Sequence, residues 1–212
     1  MTEPVAETRP QENEPSPTRL IALSDGIYAI AMTLLVIDVA VPAHLDDAGF
    51  HKALGEALPS IGAFALSFSL LSGFWRDHRR ILTALPTETP LVTHLILLGL
   101  GLVALLPFPT GLLAEYASHP EAVALYAGAM TAIHGVHVAL LLLTQDQVHP
   151  SPESPAAVAR RRFTVQLGTS ALVFALSIPL AYVDTTAAMC FWVTLVPAHY
   201  LIGHYWRRLP RP

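Results

Sequence analysis

Charge is scarce in this 212-residue chain: only 13% of residues are Asp, Glu, Lys or Arg, and 53% are hydrophobic. So little charge cannot solvate a globular domain of this length and instead describes an integral membrane protein. Lysine is nearly missing, with Lys52 alone beside eleven arginines, and the net charge is −4. That leaves no basic field for nucleic acid, and no stacking or phosphate-cradling motif offsets the deficit. One cysteine, Cys190, rules out an intrachain disulfide and any multi-cysteine metal site, and its apolar setting makes it an expected packing residue. Glycine-rich phosphate loops, His-Glu-x-x-His and paired catalytic carboxylates are also missing, and Gly99-x-Gly101 sits among leucines as an expected close helix contact.

What the chain does have is apolar runs of bilayer length. Six expected spans fall at roughly 20–41, 57–75, 91–114, 121–143, 163–183 and 187–206, each near the ~20 residues a membrane helix needs. Pro107 and Pro109 in the third, Pro179 in the fifth and Pro197 in the sixth are expected to mark kinks or ends. The fold class expected is therefore an all-α integral membrane protein with six transmembrane helices. Residues 1–18 hold little to bury and read as a disordered tail, residues 19–206 as the transmembrane domain, and residues 207–212 as a short polar end. The tail has no secretory-signal pattern, so the first membrane helix is expected to direct insertion.

Alternation of six spans places all eleven arginines on the side of both termini and Lys52 on the other, with the 76–90 and 144–162 segments read as loops. By the positive-inside rule both termini are then cytoplasmic, in a multi-pass protein of the cell membrane.

The stretch from Arg19 to Pro42 is apolar yet carries Ser24, Asp25, Thr33 and Asp38. Ile27, Ile30, Leu34, Ile37 and Val41 step by three or four residues and share one helical face. Spacing alone leaves two readings open: a stripe packed against helices or lipid, or a stripe lining a pore as a hydrophobic constriction. Asp25, about two turns into the helix, costs several kcal/mol if it faces lipid unpaired. Arg19, Ser24, Trp75 and His78 lie near the same membrane face and offer it partners. Asp38 falls near the opposite end, either as a solvated helix end or as a carboxylate concentrating cations at a pore mouth.

Arg19, three residues, then Leu23-Ser24-Asp25-Gly26, followed by Ala29 to Asp38, resembles the first helix of the prokaryotic potassium channels related to transmembrane protein 175. The family's signature there is Arg, three residues and Phe-Ser-Asp, so Leu23 replaces its aromatic ring. Trp75 and His78 stand where the family has Trp-x-x-His in the second helix, and Leu106 to Tyr116 is similar to the end of its third. The resemblance implies a homotetramer of single six-helix repeats in lipid, with the first helix around a central pore for monovalent cations. It implies Ile30 as the narrowest layer, Leu34 and Ile37 above it, and Thr33 as a hydroxyl layer tied to selectivity. It also implies Arg19, Leu23, Ser24, Asp25, Trp75 and His78 as a network tying the first two helices. No Thr-Val-Gly-Tyr-Gly filter is present, so the expected potassium selectivity is modest, and no cofactor is expected beyond the permeant ion.

Two rival functions fit parts of the sequence. A proton-coupled carrier would use Asp25 and the histidines as a relay, but internal inverted repeats and broken midplane helices are not evident in the sequence. An intramembrane metal or haem enzyme would use His94, His134, His137, His199 or His204; five residues separate His199 from His204, which turns them about 140° apart on a helix. These histidines are read first as packing residues, with a pH-sensing role held open.

Overall fold

The computed structural model describes residues 17–37, 39–85, 89–144 and 154–208, and all the regular structure among them is helical. In chain order the helices are α1 (Pro17–Leu34), α2 (Asp47–Thr83), α3 (Pro90–Leu105), α4 (Pro107–Glu115), α5 (Pro120–Leu143), α6 (Pro155–Ala181), α7 (Thr185–Trp192) and α8 (Leu195–Arg208). Their starts follow from local chemistry. Asp46, Thr89, Ser154 and Asp184 each accept a hydrogen bond from the backbone N–H three residues on, at 2.8, 3.4, 3.2 and 3.0 Å. Proline in the first turn of α3, α4, α5 and α6 presets φ where no intrahelical N–H is needed.

The first helix is shorter than the expected 20–41 span. It ends at Leu34, and its 18 residues rise about 27 Å, slightly less than a hydrocarbon core of about 30 Å. Beyond it Ile37 N–H donates to Leu34 O at 3.1 Å, which tightens the chain into a turn. The following run of Val36, Ile37, Val39 and Val41 is β-branched, and Pro42 pushes the residue before it out of helical geometry. Ile37 is therefore in a turn and not on the helix, and Asp38 lies outside the described residues. Five segments among the described residues are long and apolar enough to cross a membrane: 47–83, 90–115, 120–143, 156–181 and 185–205.

A second correction concerns α2. Its 37 residues rise about 55 Å, so the helix overruns a bilayer, and Arg76, Arg79 and Arg80 stand on its last turns where the sequence reading placed a loop. The third and sixth spans are each broken in two, as their prolines suggested. Leu106 separates α3 from α4 before Pro107, and Val193–Thr194 separates α7 from α8 just ahead of Pro197. The tail assigned to residues 1–18 lies outside the described residues except for Pro17 and Thr18, which open α1; residues 209–212 lie outside them as well.

The bundle closes around α5, half of whose membrane window is buried. A row of ring contacts crosses the core: Tyr28 on α1 meets His78, His78 meets His137, His137 meets Phe74, and Phe74 meets His134 edge-on at 4.6 Å between centroids. The row continues from His134 through Phe174 to Trp192 and Tyr126. Buried hydroxyls tie the same helices. Tyr126 Oη lies 3.0 Å from Ser67 Oγ, Thr110 Oγ1 donates to Ser67 Oγ at 3.0 Å, and Trp192 Nε1 donates to Ser177 Oγ at 2.9 Å. Gly99 serves the close contact expected of it, because a Cβ there would stand 3.1 Å from Val136 Cγ1 on α5, whereas Gly101 faces open space. Cys190 is exposed on α7 and not packed.

Candidate functional site: the two faces of α1

Helix α1 divides cleanly by exposure. Leu20, Ser24, Tyr28 and Ala31 are buried, and Leu35 just past the helix end continues them, at the three- and four-residue steps that make one helical face. That face packs on α2 and α3. The other face carries Leu23, Gly26, Ile30, Thr33 and Leu34, with Ile37 continuing it into the turn. Ile30 is 60% exposed and Ile37 65% in the single chain. Ile30, Leu34 and Ile37 of the aliphatic stripe are thus uncovered by the chain's own helices, whereas Ile27 packs partly against the core. Thr33 Oγ1 donates to Ile30 O at 2.8 Å, so the hydroxyl's lone pairs stay available on the exposed side. Near its Ile37 end the stripe borders a groove of about 380 Å³ lined by Leu34, Ile37, Phe108 and Glu115.

Polar side chains join the buried face to α2. Trp75 Nε1 donates to Asp25 Oδ1 at 2.7 Å, and Arg79 Nη1 reaches Asp25 Oδ2 at 3.5 Å. One residue earlier, Ser24 Oγ gives its hydrogen to Leu20 O at 2.7 Å and lies 3.1 Å from His78 Nε2. With that hydrogen engaged, His78 carries its proton on Nε2 and donates. Ser24 and His78 are each 2% exposed, so this pair is sealed, while the Asp25 side chain keeps 38% of its surface.

Of the residues singled out in the sequence, the structure brings together Ser24 with His78 and Asp25 with Trp75. Arg19 is exposed at the start of α1, and Arg79, which sequence reasoning missed, brings a guanidinium to Asp25. The signal was available: positions 75, 78 and 79 are one face of a helix. Leu23 is 46% exposed and belongs to the outer stripe.

The histidines do not gather into a ligand set. His134 Nδ1 donates to Met130 O at 2.8 Å, His199 Nε2 lies 2.9 Å from Ser170 Oγ, His94 bonds its own helix at Pro90 O, and His204 stacks with Tyr200. Nδ1 of His137 is buried with no hydrogen-bond partner among the described residues. No group of three or more His, Cys, Asp or Glu among the described residues is placed to hold a metal ion.

The sequence model of the family described as endosomal/lysosomal potassium channel TMEM175 matches residues 19–107, which hold both faces of α1 and all of α2. A potassium channel of Streptomyces collinus is 33% identical over 196 residues, 89% of this chain and 90% of the relative. The chain belongs to the TMEM175 family. A potassium channel of Chamaesiphon minutus is 39% identical over 129 residues, 58% of this chain and 63% of the relative. The crystal structure of a lysosomal potassium-selective channel TMEM175 homolog from Chamaesiphon minutus superposes with a TM-score of 0.73. That match has 29% identity and covers 89% of this chain and 98% of the other. Likeness to these channels therefore runs well past Tyr116, where the motifs quoted from the sequence end. It is a family of channels and not of enzymes.

Proposed function

We propose that the chain is one subunit of a homotetrameric potassium channel in the cell membrane, with α1 of each copy lining a central pore. The observation that carries this reading is the uncovered aliphatic face of α1 opposite a buried face bonded to α2. One helix cannot enclose a passage, so the stripe requires several copies about an axis. Potassium as the permeant ion rests on what the relatives are named. Ile30 forms the narrowest layer, with Leu34 and Ile37 above it and Thr33 turning a hydroxyl oxygen to the ion. Asp38, together with Glu115 in the groove beside Ile37, makes the mouth negative and concentrates monovalent cations. Residues 19–206 form the channel domain, and both termini are cytoplasmic. A constriction of aliphatic rings supplies no ion ligands, so discrimination between potassium and sodium is modest and no cofactor is needed.

Purified protein in liposomes under a potassium gradient tests the reading. A reversal potential that follows the potassium gradient, and shifts when sodium replaces potassium, supports a channel. Saturating flux that requires a proton gradient overturns it in favour of a carrier.

A further inference from the structure

At the end of the bundle where α2 and α5 finish and α6 begins lies an open cavity of about 690 Å³, within the roughly 300–1,000 Å³ range of small-molecule sites. Its walls divide by chemistry. Ile81, Leu141 and Phe163 give an apolar floor, and Arg80, Arg160 and Arg162 stand around it. No carboxylate lines it among the described residues. Asp77, one turn before Arg80, borders a neighbouring cavity that also takes in Arg80 and Phe163; its carboxylate offsets part of the Arg80 charge, and Arg160 and Arg162 leave the described walls net positive. The Arg80 guanidinium sits 5.0 Å over the Phe163 ring, a cation–π contact that holds one cation over the apolar floor.

We infer that this cavity is a site for an anionic phospholipid of the surrounding leaflet, its phosphate held by Arg80, Arg160 and Arg162 and its first methylenes on Leu141 and Phe163. Charge complementarity selects the headgroup, since planar guanidinium groups bind phosphate oxygens in pairs. Position selects a lipid over a free ion. The site joins the last turns of two membrane-spanning helices to the first turns of a third, where a bilayer's phosphates lie, and basic pockets between such helices take anionic headgroups. The first turns of α6 add the positive end of a helix dipole. Nothing in this inference depends on which ion the protein conducts.

The test uses purified full-length protein in a zwitterionic detergent and follows its thermal unfolding midpoint as phosphatidylglycerol, phosphatidylcholine or inorganic phosphate is added. Phosphatidylglycerol is expected to raise the midpoint, and phosphatidylcholine and phosphate to leave it in place. The variant R80Q/R160Q/R162Q is expected to lose the rise. R162Q alone, which keeps two arginines and guards against misfolding of the triple variant, is expected to need about fivefold more lipid. R161Q removes the same charge from a position outside the cavity and is expected to respond as wild type. Equal stabilisation by inorganic phosphate would identify a free anion as the occupant and overturn the lipid assignment. A wild-type response in R162Q, an equal loss in R161Q, or no response of the wild type to phosphatidylglycerol overturns the site itself.

Discussion

Trp75 Nε1 donates a 2.7 Å hydrogen bond to Asp25 Oδ1, joining α1 to α2 one residue from the sealed Ser24–His78 pair. A carboxylate that is partly buried at membrane depth needs such donors, and the indole N–H can only donate. Asp25→Ala and Trp75→Phe are each expected to destabilise the protein by about 1–2 kcal/mol, below the upper range for bonds to charged groups because the Asp25 side chain is only partly buried. The double variant should cost less than the sum of the two. Thermal unfolding in detergent measures this, and full additivity would show that the two side chains act independently.

Ser24→Ala strips the acceptor from a buried His78 N–H, which costs about 1–3 kcal/mol. Ser24→Thr restores the hydroxyl and should recover most of the loss. If alanine is as stable as serine, the 3.1 Å contact contributes nothing.

Ile30→Asn is expected to raise single-channel conductance and reduce discrimination between potassium and sodium, because an amide hydrates a passage that an aliphatic ring keeps dry. Leu35 is no control for this experiment. It lies off the stripe, but it is 2% exposed, and truncating it would open a core cavity at a cost of about 2–5 kcal/mol. Leu172, 58% exposed on α6, is the better comparison, and Leu172→Ala should alter neither quantity. Unchanged currents in Ile30→Asn would move the constriction off α1.

Gly99→Ala places a methyl 3.1 Å from a β-branched Val136 that has little rotameric freedom to retreat. The substitution is expected to lower the unfolding midpoint, whereas Gly101→Ala leaves it unchanged or raises it by relieving the helix of a glycine. Equal effects at the two positions would show that α3 and α5 are not in close contact at Gly99.

Orientation is checked by cysteine labelling in a Cys190→Ser background, which removes the native thiol. Ala48→Cys is preferable to a change at Asp46, which caps α2. An impermeant maleimide applied to intact cells is expected to label position 48 and not position 161. The reverse pattern would turn the protein over.

The sequence made the membrane class readable from its lack of charge, and the partners of Asp25 readable from the cost of a lone carboxylate. It hid the end of α1. Val36, Ile37, Val39 and Val41 are as hydrophobic as a helix needs, and hydropathy does not register that a β-branched run ahead of Pro42 leaves helical geometry. It also hid the length of α2, because the arginines that read as a loop are good helix formers whose stems reach water from a helical turn. Arg79 was overlooked because residues 76–90 read as a loop, which hid the helical face it shares with Trp75. Cys190 was misjudged for a similar reason, as an apolar neighbourhood in sequence does not distinguish the lipid-facing side of a helix from its packed side.

The bonds on the inner face of α1 also limit how that helix can move. A side-chain tip sits about 5–6 Å from the helix axis, so twisting α1 by about 20° displaces it by about 2 Å, enough to break a hydrogen bond. With Asp25 held to Trp75 and Ser24 beside His78, α1 cannot roll to swing Ile30 aside while α2 stays put. The motions left are a change in the Ile30 side chain itself or an outward lean of α1 and α2 together as one lever. The second would carry the long α2, and the exposed turns at its N-terminal end, along with the constriction proposed at Ile30.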